Sequence, residues 1–308
     1  MAGPSHPGRN RALRGRAVTA TITVVDAGPL ILVQDLGRPG YAHLGVGASG
    51  ALDRGALRFA NRLVGNPEGA PGIEVTLGGL RVRVGDPIWF AVTGAWGPVL
   101  LDGRRITLDD ARQAASGSVI EFGTAEHGLR YYLAVRGGLE SAVVLGSSST
   151  DTLSGLGPPP LSAGDVIGVG DTASVPIPAL DPLTLWAPTD GAVDIQAHTG
   201  PRADGFAPAA VAAFFEEEWS VSADSNRIGL RLTGPRLARR SDAELPSEGM
   251  LAGSVQVPPS GQPTVLLADH PVTGGYPVIA VVTDASLDAF AQLRPGQKVR
   301  FRHARSAV

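Results

Sequence analysis

The sequence predicts a mainly β protein, built as antiparallel barrels or sandwiches with a few short helices, and three observations carry that expectation. Glycine (41 residues) and proline (25) are spread without a period through the 308-residue chain, between short Val/Ile/Leu runs, as in a chain of many strands joined by tight turns. Segments with helical spacing are few and short, too few to cover a large parallel sheet. One small design also recurs: Ser116–Phe122, Ala163–Val169 and Pro295–Phe301 each place a glycine turn before an apolar strand.

Taken in order, residues 1–20 form an expected flexible basic tail, with Arg9, Arg11, Arg14 and Arg16 among Gly and Pro and no signal-peptide core. The apolar run Leu30-Ile31-Leu32 leads into VQDLGRPGY (33–41), where a strand built for a core ends in Gln34, Asp35 and Arg38 among glycines. Asp53 caps an expected helix that carries Leu57, Ala60, Leu63 and Val64 on one face and stops at Gly65-Asn66-Pro67. Further helices are expected over 208–218, opened by Pro208, and over 286–293. Pro176, Pro178, Pro182 and Pro188 mark a crossing between halves, giving expected units at 21–180 and 181–303.

Composition excludes several chemistries. Without cysteine there is no disulfide, thiolate nucleophile or Cys-ligated metal. The six histidines form no i, i+4 pair and no tight cluster, so no metal site is expected. Lys298 is the sole lysine and lies in a turn-and-strand setting, which removes a Walker-type loop, a Ser-Ser-Lys amidase and a biotinyl-lysine turn. The net charge of −3 and the lack of a membrane-length apolar stretch argue against nucleic-acid and membrane partners, and a cytoplasmic protein is the default.

What remains for chemistry are charged and amide side chains in glycine-rich loops. Asp35 and Arg38 either pair with each other or divide an ionic substrate between them. Asn61 is either a ligand contact or a buried amide that satisfies a loop. Arg136, in LAVRGGL (133–139), sits where a planar fork binds a carboxylate or phosphate, or pairs with Glu140 or Asp151. Residues 247–282 are the densest stretch. They offer Glu248 in a Gly loop, Gln256 on a strand, Asp269 at a strand end, then Thr273-Gly274-Gly275-Tyr276. Asn226 and Arg227 supply another amide and fork, or a solvated strand start.

Together VQDLGRPGY, SGALD (49–53), E.TLGG (74–79), Y.AVRGG, GS.STD (146–151), the 247–282 block and LRPG..VRF (293–301) resemble the family known as the C subunit of 5-oxoprolinase (PxpC), KipA or allophanate hydrolase subunit 2, the biotin-dependent carboxyltransferase domain. The resemblance is colinear from about Thr21 to Phe301. It implies two cyclophilin-like β-barrel halves forming one carboxyltransferase-type domain. It also implies one component of an ATP-dependent 5-oxoprolinase, opening a small amide or lactam beside a KipI-like B-type partner and possibly an A-type protein, with ATP shared among them. The alternatives it carries are carboxyl transfer to urea from carboxybiotin on a separate carrier, and a non-catalytic regulator that antagonises a KipI-like inhibitor. On the resemblance, Asp269 and Asp35 are expected to steer protons and Arg136 to stabilise charge on oxygen, with Gln34, Arg38, Asn61, Glu248, Gln256, Thr273, Gly274, Gly275 and Tyr276 contacting substrate. The chain departs from the family pattern at Trp96, at Ser148 and at His270-Pro271-Val272, where Asp, Arg and Arg-Gln-Thr are common.

Overall fold

The computed structural model describes residues 20–171, 176–177, 188–241 and 245–304. The expected tail, except Ala20, and the expected division at 180–181 lie outside the described residues. The rest is mainly β with three short helices, arranged as one closed seven-strand barrel and open sheets.

In the N-terminal half, strand Ala20–Asp26 buries every second residue, as a half-exposed strand must. It lies mid-sheet between Val166–Val169 and Arg81–Val84, in a seven-stranded sheet that continues through Val119–Phe122 to Arg104–Arg105. A second sheet runs Leu30–Gln34, Gly72–Thr76, His127–Val135, Ile88–Trp96, Arg112–Ala114. The inner faces close on one core, with Ile22, Val82 and Ile120 from the first sheet against Ile73, Phe90 and Leu133 from the second. The three repeated turn-and-strand segments form as expected, with Gly117, Gly164 and Gly296 at φ of 84°, 95° and 85°, where a side chain would be strained.

The C-terminal half is the closed barrel: Val193–Thr199, Val278–Val282, Ser254–Gln256, Thr264–Leu266, Gly229–Thr233, Glu218–Val221, Lys298–His303. Every pairing is antiparallel except the closing one, between Val193–Thr199 and Lys298–His303. A helix over Pro208–Glu216 packs Phe214 on Phe301, ring centroids 4.3 Å apart, and accepts the Trp219 indole N–H at Phe214 O. Burial of such side chains contributes about 1.5–3 kcal/mol each.

Helix α1 (Arg54–Leu63) begins at Asp53, whose carboxylate caps Ala56 N at 2.8 Å, and it lays Ala60, Leu63 and Val64 on Ala91 and Ala134 of the second sheet. The helix expected at 286–293 starts earlier. A single α-turn, Asp284–Leu287, tightens into a 3-10 segment, Asp288–Gln292. That tightening seats Gln292 against the second sheet, and so places the end of the barrel on the start of α1. No helix among the described residues is long and apolar enough to cross a membrane.

Candidate functional site

Where the two halves meet, a charged network is buried. Arg227, 1% exposed, donates from Nε and Nη2 to both oxygens of Asp269 (2.9 and 3.0 Å), from Nη1 to Glu74 Oε1 (2.6 Å), and from Nη2 to Gly50 O (2.6 Å). Asp269 also accepts from Ser49 Oγ (2.7 Å) and from the amide and hydroxyl of Thr152 (3.0 and 2.7 Å). Burial alone would raise the Asp269 pKa, but Arg227 and these donors hold it below the usual carboxylate value. Burial would likewise lower Arg227, and the two carboxylates reverse that, leaving it raised. Glu74 continues the chain by accepting from Tyr132 Oη (2.8 Å) and Leu52 N (3.1 Å), while Tyr132 Oη accepts from Asp53 N (2.8 Å).

The far end of this network opens into a cleft of about 350 Å³ between α1, the second sheet and the 284–292 segment. Asp53, Asp288 and Asp109 line it, with Thr93, Gly55 and Gly94, three alanines and Phe59 between them. Burial pushes the Asp53 carboxyl up to about 7; hydrogen bonds from Gln292 and Ala56 work against the rise, and the charges of Asp288 and Glu74 add to it. Gln292 Nε2 donates to Asp53 Oδ2 at 2.9 Å. Asp288 accepts from Arg54 Nε (2.9 Å) and Gly55 N (3.0 Å). A buried carboxyl near neutral pKa in a cleft beside an ion-paired one is an arrangement that can move protons.

The expected site residues fall into three places. Gln34, Asp35, Arg38 and Asp269 gather around segment 147–152. Asp35 accepts from the hydroxyls of Ser147 and Ser149 and from Ser148 N, and Asp269 holds Thr152. Among the described residues, Asp35 and Arg38 do not pair with each other. Arg38, 1% exposed, instead donates to Val144 O (3.2 Å) and Ser149 O, and Gln34 donates to Thr150 O (2.9 Å). A second group lies at the other end of α1. Asn61 donates to Glu68 O (3.1 Å) and Ala70 O (2.8 Å), and Arg136 donates to Val64 O (3.1 Å), at the negative end of the helix. Asp151 caps its own turn through Leu153 N and Ser154.

The third group is outward. Glu248–Gly249 and Thr273–Gly274 pair as a two-stranded ribbon, Glu248 is ion-paired with Arg202, and Tyr276 is 48% exposed after the exposed Gly275. Gln256 donates to Tyr276 O at 3.4 Å. A smaller hollow of about 230 Å³, lined by Arg202, Arg239 and Arg240, adjoins this ribbon at Pro277.

Sequence reasoning missed the cleft. It read Asp53 as a cap, which it is, and did not single out Glu74, Tyr132, Asp288 or Gln292. One signal was present: Glu74 stands in Gly72–Thr76, a strand otherwise built for burial, where an acid must have a partner.

The carboxyltransferase domain family, subdomains A and B, matches residues 44–303. The chain is 40% identical over 285 residues to the 5-oxoprolinase C subunit of Escherichia coli (strain K12), covering 91% of this chain and 90% of that one. It is 35% identical over 290 residues, with the same coverage, to the 5-oxoprolinase C subunit of Haemophilus influenzae. The crystal structure of the K. lactis urea amidolyase superposes with a TM-score of 0.86 at 28% identity, over 96% of this chain and 19% of that far longer one.

Proposed function

The chain belongs to the carboxyltransferase domain family, subdomains A and B, and from that premise we propose that it is the C-type component of an ATP-dependent 5-oxoprolinase. Its similarity to the E. coli protein along nine-tenths of both chains carries this reading. The complex is cytoplasmic and is completed by a KipI-like B-type partner and an A-type protein. Each half derives from a cyclophilin-like barrel, the first opened into two sheets, with the units at 21–180 and 181–303.

The cleft at Asp53 is the place for the small amide. Asp269, Asp35 and Arg136 are positioning residues: the first two clamp segment 147–152, and the third anchors the end of α1. Gln34, Arg38 and Asn61 hold the loops around them, and the ribbon of Glu248, Thr273, Gly274, Gly275 and Tyr276, with Gln256 behind it, faces a partner or the rest of the substrate. The cleft does not fit a triphosphate, since no basic side chain among the described residues lines it. ATP is therefore assigned to the assembled complex, and no step is derived through it.

A second reading is carboxyl transfer to a urea-like acceptor from carboxybiotin on a separate carrier, favoured by the urea amidolyase superposition. The test is reconstitution with the B- and A-type partners, following ATP hydrolysis and glutamate release. Turnover of 5-oxoproline supports the first reading. Carboxylation of urea in the presence of a biotinylated carrier, without 5-oxoproline turnover, supports the second, and a stable complex that turns over neither contradicts both.

A further inference from the structure

We propose that Asp53 is the proton-transferring group of the cleft, facing Asp288 across the space left open by Gly55, and that this pair receives the uncharged N–H end of an amide, lactam or ureido group. The reaction assigned to the pair and the choice of lactam and ureido groups rest on the function proposed above; the preference for N–H groups over anions rests on the cleft.

The space between the carboxylates is defined by an absence of side chain. A Cβ on Gly55 would lie 3.3 Å from Asp288 Oδ2 and 3.5 Å from Asp53 Oδ1. Both acids therefore flank the bare face of Gly55, and all three residues line the cleft. The approach to Asp53 is fixed by Gln292. Its Oε1 accepts the N–H groups of Leu129 and Arg130 (3.0 and 3.1 Å), so its amide cannot turn, and Nε2 must donate to Asp53 Oδ2. Oδ1 already accepts from Ala56 N. A proton on Asp53 must use the lone pairs left over, on the carboxyl group that lines the cleft.

The lining also selects the ligand. With Asp53, Asp109 and Asp288 present and no basic side chain among the described residues of the lining, the carboxylate of 5-oxoproline finds no cation there and stays outside, whereas its ring N–H finds acceptors. A volume of about 350 Å³ suits one small molecule. The charged and titratable groups packed around Asp53 are Asp288 on the 3-10 segment, Glu74, Tyr132 and Arg130 on the second sheet, Arg54 on α1, and Asp109 across the cleft. The upward displacement of the Asp53 carboxyl, to about 7, is the direction this setting demands.

In ring opening, the amide C–N bond breaks and its electron pair stays on nitrogen. Nitrogen takes the proton of neutral Asp53. Water supplies the oxygen that bonds the acyl carbon, and its released proton returns to Asp53, which ends as it began. Gln292 acts through Asp53 as a positioning residue.

Two measurements test this. In the reconstituted complex, kcat/KM for 5-oxoproline should fall about tenfold per pH unit above about 7. Asp53→Asn, which keeps a good cap residue, should lower kcat by roughly 100-fold and abolish that limb. Gln292→Leu should move the limb to higher pH. An unchanged limb in Asp53→Asn would overturn the proton-transfer role. In the isolated chain, NMR titration with 2-pyrrolidinone and with urea should shift resonances of the α1 start and the 284–292 segment, and Gly55→Ala should weaken that binding at least about tenfold while the chain stays folded, alanine being favoured in a helix. Binding that ignores Gly55→Ala, or the absence of binding, would overturn the ligand class. If the complex leaves 5-oxoproline intact, the substrate reading fails while the titration still decides the cleft.

Discussion

Asp269 and Asp53 lie along the same contact between halves and are joined through Arg227, Glu74 and Tyr132, yet their surroundings drive them in opposite directions. Asp269 is buried among a guanidinium, two hydroxyls and an amide, and its pKa is lowered. Asp53 is likewise buried, but its carboxylate accepts from one amide side chain and one backbone N–H with two acids nearby, and its pKa rises to about 7. One residue type thus does two jobs. Filling every lone pair makes a joint; leaving some toward a cleft makes a group that can exchange protons.

The largest expected effect breaks the joint. Arg227→Met would leave Asp269 buried without its cation and Glu74 with only Arg130, 3.6 Å away, costing about 3–5 kcal/mol of unfolding free energy in a denaturant titration of the isolated chain. A loss below about 1 kcal/mol would mean the network is solvated and the comparison is wrong.

The next effect sharpens the contrast through pH. Because the folded pKa of Asp53 exceeds its unfolded value of 3.8, its contribution to stability is full below that value and is lost as pH rises through about 7, a swing of about 4 kcal/mol at most. Asp269 behaves oppositely: its contribution is full above the unfolded value and is lost as pH falls through its lowered folded pKa. Asp53→Asn should therefore be destabilising near pH 5 and become neutral or stabilising near pH 8, roughly spanning that window. A pH-independent difference between variant and wild type would contradict the assignment.

The smallest effect tests redundancy. Thr152→Val removes one hydroxyl donor from Asp269 but keeps the Thr152 amide bond, so a cost of about 1–2 kcal/mol is expected, without change in the pH limb assigned to Asp53.

How much of this the sequence disclosed follows from distance along the chain. Alternation in Arg81–Val84, the glycine turns at 117, 164 and 296, and the Asp53 cap are local, so strands and α1 were readable from neighbours. The barrel's parallel closure was not, because nothing within Val193–Thr199 names Lys298–His303 as its partner. The site shows the same limit. Asp35 and Arg38 stand three positions apart and invite pairing, but each is held instead by segment 144–149, more than a hundred residues away. Asp53 acquires its second role only when Gln292 and Asp288 arrive from the other half.

The most direct test of this division is a site-resolved carboxyl titration of the isolated chain by carbon-detected NMR, following Asp53 and Asp269 in one sample. The expected midpoint is near 7 for Asp53, with none for Asp269 until it titrates below the usual aspartate value. Two ordinary aspartate midpoints, or Asp53 ionised throughout, would contradict it.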